Sequence, residues 1–120
     1  MFKPFLIVSP NGAHKTKADH ATLPVTLKET VTTAVACHAA GADWLHLHIR
    51  NAAGQHSLDA VRYLGALTEW ARVVPTMRIQ ITTESAGIFR RDEQFKSLQA
   101  LRQSWASISG LNGALQKFSL

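Results

Sequence analysis

Short apolar runs alternate with helical segments along the whole chain, and this alternation limits the possible folds more than any other feature. The strand-like runs are Phe5–Val8, Trp44–Ile49, Arg78–Thr82 and Trp105–Ile108. Their order with the helices between them, βαβαβαβ, predicts parallel strands joined by right-handed crossovers, with the helices on the outside. Because a complete eight-stranded barrel needs roughly 250 residues, this 120-residue α/β chain is expected to form a partial TIM (β/α)8 barrel, about the first four βα units.

The predicted helices begin at residues that can cap them. Thr26 is followed three residues later by Glu29, the spacing of a capping box, and the helix that it opens is expected to stop at Gly41. Ser57 is the predicted cap of a second helix that runs to about Val73. Apolar spacing gives the second helix a buried face of Val61, Leu64, Leu67 and Ala71, and gives a third helix, Asp92–Leu101, a face of Phe95, Leu98 and Leu101.

Composition describes an ordinary globular protein, with 46% hydrophobic and 18% charged residues. The formal charge of +5 comes from scattered lysines and arginines rather than a basic stripe interleaved with aromatics, so no nucleic-acid partner is expected. The apolar patch in Met1–Ser9 is too short for a signal peptide or a membrane span, and we expect a cytoplasmic protein. The single cysteine, Cys37, cannot form an internal disulfide.

His46 and His48 are the most informative polar residues, because they interrupt an apolar strand two positions apart. Side chains two apart in a strand share one face, so both imidazoles can approach one metal ion at the carboxyl end of the strand. Two histidines are only part of a zinc shell, since a catalytic zinc usually takes three protein ligands. Arg50 follows directly, and either pairs with an acidic neighbour or has a substrate-carboxylate or structural role near the metal.

Other polar residues have plainer interpretations. His20, His38 and His56 are expected to be loop or helix-face residues, and Asn11-Gly12 is a turn dipeptide before it is a ligand contact.

Six motifs, in order along the chain, resemble those of the β-keto acid cleavage enzymes. They are Ser9-Pro10-Asn11-Gly12-Ala13, Lys15-Thr16-Lys17-Ala18-Asp19-His20, Leu23-Pro24-Val25-Thr26, Ala40-Gly41-Ala42, His46-Leu47-His48-Ile49-Arg50 and Gln80-Ile81-Thr82-Thr83-Glu84. The resemblance runs from Phe5 to about Ser109, so we expect residues 1–109 to be the N-terminal half of such a barrel and residues 110–120 to be a tail outside the family.

The resemblance implies a zinc-containing, homo-oligomeric TIM-barrel acyltransferase. Members of the family convert a β-keto acid and acetyl-CoA into acetoacetate and a new CoA thioester by retro-Claisen cleavage; the type member, the 3-keto-5-aminohexanoate cleavage enzyme, acts in lysine degradation. By the same resemblance His46 and His48 match the Zn²⁺ ligands, and Thr82, Ser85 and Ser107 match substrate-binding positions.

Departures from the family also bear on function. His14 stands at the substrate-binding position where the family has an acidic residue, which suggests a substrate tail without an amino group. The glutamate that completes the zinc shell and the catalytic arginine and aspartate come from late strands that this chain does not contain. We therefore expect impaired activity in this chain alone, and its catalytic residues stay unknown.

Two other functions stay open. Metal-dependent TIM-barrel hydrolases also use a His-x-His strand, although there it is the first strand. A non-catalytic half-barrel remnant would persist by pairing its open sheet edges with another copy.

Overall fold

A computed structural model describes residues 2–83 and 87–101, together with the backbone of two strands at 105–109 and 115–119. The elements, in chain order, are β1 (Ile7–Val8), α1 (Leu27–Ala39), β2 (Trp44–Leu47), α2 (Ala60–Val73), β3 (Arg78–Thr82), α3 (Arg91–Leu101), β4 (Trp105–Ser109) and β5 (Leu115–Ser119). The predicted alternation of strands and helices is confirmed as far as β4. The strands β1 and β2 are shorter than predicted.

The strands form one sheet in the order β1-β2-β3-β4-β5. Pairing is parallel from β1 to β4, as predicted, and the register places His46 opposite Gln80. The last strand, β5, pairs antiparallel with β4 and is absent from the sequence prediction. Because β1 to β4 are parallel neighbours, their carboxyl ends all lie at the same end of the sheet.

The predicted capping box is present at the start of α1. Thr26 Oγ1 accepts a hydrogen bond from the Glu29 amide at 3.3 Å, and Glu29 Oε2 accepts one from the Thr26 amide at 2.9 Å. The predicted cap of α2 is wrong by two residues. Asp59 caps the helix by accepting from the Arg62 amide at 2.8 Å, while Ser57 accepts from the Asp59 amide.

The predicted buried face of α2 is wrong for Val61, Leu64 and Ala71, which are exposed, while Leu67 packs against the core as predicted. Val61 is 79% exposed, whereas Tyr63, Ala66 and Trp70 are buried. The two aromatic rings bring more apolar area than the alternative face, and the Tyr63 hydroxyl donates to the Thr82 carbonyl at 2.6 Å. On α3, Leu98 and Leu101 are buried as predicted, while Phe95 is 57% exposed.

The hydrophobic core lies between the helices and one face of the sheet. It unites Leu45, Leu47 and Ile81 from the strands with residues of α1, α2 and α3, among them Ala34, Tyr63, Trp70 and Leu98. Because strand side chains alternate, His46 belongs to the opposite face, away from the helices. Within the described part of the chain no helix is long and apolar enough to cross a membrane.

Candidate metal centre

The two predicted ligands lie side by side at the end of β2. His46 is the penultimate residue of the strand and His48 follows its last residue. Their ring centroids are 5.4 Å apart, with the ring planes inclined by 75°. The geometric part of the sequence prediction, two neighbouring imidazoles on one side of the strand, is thus confirmed.

His46 is half-buried and receives its orientation from the neighbouring strand. Its Nδ1 lies 2.9 Å from Oε1 of Gln80, the residue opposite it in the register. With the Gln80 oxygen as acceptor, Nδ1 carries the proton and the lone pair is on Nε2. A fixed tautomer of this kind is what a metal-binding histidine needs.

His48 is held through its main chain by the buried side chain of Asn11. Asn11 Oδ1 accepts a hydrogen bond from the His48 amide at 3.2 Å. Asn11 Nδ2 donates to the carbonyls of His48 at 2.9 Å and Pro24 at 3.1 Å. The Asn11 amide therefore continues the pairing of β1 with β2 beyond the two residues of β1. Sequence reasoning missed this role, because the pair Asn11-Gly12 also has the composition of a turn, and Gly12 does adopt a positive φ of 62°.

The imidazole of His48 is buried beneath two loops. The ring of His56, after β2, lies 4.8 Å from it between centroids, and Phe89, before α3, packs 5.5 Å from His56. The pairing of Arg50 with His56 folds the loop back over the site. His56 lies in the loop between β2 and α2, as predicted, but its ring is buried, which the sequence did not indicate.

Burial keeps His48 neutral. Loss of solvent lowers the pKa of His48 to about 3, and the nearby His56, His46, Arg50 and His14 add to the effect in that order. A neutral imidazole is the form that binds a metal. Within the described residues His48 Nδ1 has no hydrogen-bond partner.

These observations fit two ligands of a metal site. The described residues hold no group of three or more histidines, cysteines and carboxylates arranged to bind a metal ion. A zinc site built on His46 and His48 would thus need a further ligand from beyond this part of the structure.

Arg50 ties two loops together, and within the described residues it pairs with no acidic side chain. Its guanidinium donates to the carbonyls of Gly12 at 2.6 Å, Lys15 at 3.1 Å and Gly54 at 3.0 Å. The first two carbonyls belong to the loop after β1 and the third to the loop after β2. Of the roles that the sequence left open for Arg50, the geometry favours the structural one. Burial lowers the pKa of the Arg50 guanidinium.

A sequence model of the family described as beta-keto acid cleavage enzyme matches residues 3–114. The chain belongs to the beta-keto acid cleavage enzyme family. The match confirms the resemblance seen in the sequence motifs and includes the whole histidine strand. It also extends past the boundary expected at Ser109, while the separate tail at 110–120 stays a prediction.

The remaining residues that match substrate-binding positions of the cleavage enzymes lie in different settings. His14 is exposed on the loop after β1, and Thr82 is buried at the end of β3. Ser107 pairs with Thr82 in the register of β3 and β4, but its side chain is outside the described part of the structure, as is Ser85. Their contact with substrate stays a prediction.

Proposed function

We propose that this chain carries the zinc-binding strand and surrounding loops of a β-keto acid cleavage site. The reaction converts a β-keto acid and acetyl-CoA into acetoacetate and a CoA thioester. One observation carries the proposal: in a member of this family, two oriented imidazoles, His46 and His48, lie together at the carboxyl end of a parallel strand, on the sheet face away from the helices.

The architecture is proposed to be the first four βα units of a (β/α)8 barrel. Two features support this: β1 to β4 follow one another in sequential order, and α1, α2 and α3 pack into one core on a single face. A doubly wound sheet would reverse its strand order and place helices on both faces. The uncovered face would be the barrel interior, where the chemistry of such enzymes lies.

Each residue of the site has a proposed role. His46 and His48 bind the zinc, Gln80 sets the tautomer of His46, and Asn11 holds the main chain at His48. Zinc, when bound, supplies a Lewis acid that stabilises negative charge on a carbonyl oxygen. The substrate is proposed to contact His14, Arg50, Thr82, Ser85 and Ser107. A third ligand and the groups that move protons come from outside the described residues.

His14 is proposed to influence which class of keto acid is bound. In place of an acidic residue, this exposed imidazole offers no negative charge to an ammonium group, so a keto acid without an amino group is favoured over the lysine-degradation substrate. The working enzyme is proposed to be a cytoplasmic homo-oligomer.

Two alternative functions are distinguished from β-keto acid cleavage by the assays below. A metal-dependent hydrolase is less favoured, because β1 and α1 precede the histidine strand and the pair therefore lies on the second strand. A half-barrel without activity would keep the fold but show no turnover.

Zinc titration followed by NMR of the imidazole nitrogens tests the metal site directly. We expect resonances of His46 and His48 to shift together as Zn²⁺ is added, because both rings would bind the same ion. His46→Ala should abolish the response of His48, whereas His20→Ala, which changes an exposed loop histidine, should leave it intact. Independent shifts of the two rings, or none at millimolar zinc, would contradict the site.

Turnover is tested by offering a β-keto acid with acetyl-CoA and, separately, simple amides and esters. The proposed function requires acetoacetate formation that depends on CoA ester and is lost in His46→Ala. Hydrolysis of an amide or ester without CoA dependence would instead support the hydrolase.

A further inference from the structure

A second concave site lies on the opposite side of the sheet from the histidines. A cavity of about 710 Å³ is enclosed by α1, α2 and the loops that precede them. Leu47, Ile49, Ala66 and Trp70 give it an apolar floor. Neither His46 nor His48 lines it. Its volume is within the range of sites that bind small organic molecules.

The charged side chains that line this cavity, among the described residues, are all basic. Lys17, Arg50 and Arg62 line it, and no aspartate or glutamate does so among the described residues. Lys17 is paired with Glu29 at 2.7 Å. Arg62 is exposed and, in the described part of the chain, has no carboxylate within ion-pair distance. The cavity therefore attracts anions.

Two buried donors in the lining have no acceptor. Trp70 is 1% exposed and Arg50 is 8% exposed. Within the described residues neither Trp70 Nε1 nor Arg50 Nε has a hydrogen-bond partner. Because each of these nitrogen atoms is itself shielded from solvent, neither donor faces the open cavity, and an acceptor could reach it only after a local rearrangement.

We propose that this cavity is a binding site, separate from the zinc site, for a small amphipathic anion: an aliphatic chain that ends in a carboxylate. The aliphatic chain packs on the apolar floor, and the carboxylate pairs with the exposed guanidinium of Arg62. The inference does not depend on the proposed function, because neither His46 nor His48 lines the cavity. Arg50, which is also proposed to contact the keto acid, lines the cavity but is not changed in any of the tests below.

Octanoate is the probe, and Gly65 provides the decisive variant. Gly65 lies on α2 and lines the cavity, and a Cβ added there meets nothing within 4 Å. Gly65→Phe should fill the space and weaken octanoate binding about tenfold or more, whereas Gly65→Ala, the matched control, should bind as the unmodified chain does. Binding is measured by calorimetry and by tryptophan fluorescence, with circular dichroism to confirm that each variant is folded.

The charge contact is tested by changing Arg62 and the probe. Arg62→Gln removes the charge and should weaken octanoate binding by about three- to tenfold. Trp70→Phe is the control: it keeps an aromatic ring in the floor and removes only an N–H that is shielded from the cavity, so octanoate should bind nearly as before. Octan-1-ol, which lacks the charge, should bind more weakly than octanoate and should be insensitive to Arg62→Gln.

Three outcomes would overturn the inference. They are the absence of saturable binding at millimolar octanoate, binding that survives in folded Gly65→Phe, and binding that is lost in His46→Ala. If Gly65→Phe does not fold, amide NMR of the unmodified chain decides: octanoate should perturb Gly65 and Ala66 on α2, and perturbation of His46 and Gln80 instead would place the ligand on the histidine face.

Discussion

At the scale of single residues, the buried side chain of Asn11 shapes the candidate site most. β1 ends at Val8, so its backbone cannot pair with the segment that contains His48. The Asn11 amide takes the place of a peptide group, with one acceptor and two donor contacts. An aliphatic side chain there would leave both the amide and the carbonyl of His48 without these partners.

We predict that Asn11→Ala lowers the free energy of unfolding by about 2–4 kcal/mol, because three buried hydrogen bonds are lost. Urea denaturation measures the change. Asn51→Ala is the matched control. The Asn51 side chain also makes three hydrogen bonds, to Ala53 and Gln55, but within one exposed loop. Asn51→Ala should lower the free energy of unfolding by about 1 kcal/mol or less. Equal decreases for the two variants would contradict the role of Asn11.

The sequence was sufficient for some residues of the site and insufficient for others. Strand alternation alone predicts that His46 and His48 share a face, since it depends only on local geometry. Asn11 and His56 reach His48 from 37 and 8 positions away in the sequence, through a side-chain clamp and a loop that turns back. Contacts of this kind depend on tertiary packing, which no local pattern encodes.

At the scale of elements, the first turn of α1 concentrates charge contacts on Glu29. Its carboxylate accepts from Lys17 Nζ and from the amides of Val25 and Thr26. The Lys17 contact, followed by the two amides, lowers the pKa of Glu29 from 4.5 to about 2. Because the folded state holds the ionised form, this carboxylate stabilises the fold fully above pH 4.5 and loses that contribution as the pH falls through about 2.

We predict that Glu29→Gln lowers stability at pH 7 and flattens the fall in stability between pH 4.5 and 2. Thermal unfolding as a function of pH measures both effects. Glu69→Gln is the comparison, because among the described residues Glu69 accepts hydrogen bonds only from Arg72 on the same helix. It should have a smaller effect, and an acid profile in Glu29→Gln identical to that of the unmodified chain would count against the argument.

The helices also show where element-level prediction stops. The spacing of α2 allows two apolar faces, one with Val61 and Leu64 and one with Tyr63, Ala66 and Trp70. Periodicity does not separate them, because both repeat every three to four residues. The aromatic face is buried because its rings fill the space above β2 and β3 and the Tyr63 hydroxyl finds the Thr82 carbonyl.

At the scale of the whole molecule, the sheet has an uncovered edge. Among the described residues, β1 is the first strand of the sheet and pairs only with β2, and Phe5, Leu6 and Ile7 are exposed along it. Exposed apolar edges pair readily with other strands. We therefore expect the chain to associate through this edge with a second copy or with another chain.

We predict that the chain self-associates at micromolar concentrations and that Ile7→Lys weakens the association, because a charge on an edge strand opposes pairing. Sedimentation velocity measures it. Phe95→Lys is the control, since Phe95 is 57% exposed on α3, compared with 51% for Ile7, and lies away from the edge. A stable monomer of the unmodified chain would refute the prediction.

The hydrogen bonds of Arg50 hold two loops in place while leaving the side chains of those loops free to vary. The three acceptors are main-chain carbonyls, so these hydrogen bonds do not depend on the side chains of the two loops. Substitution of Ala13, His14 or Lys15 can therefore change the surface of the loop after β1 without removing the carbonyl contacts that hold it.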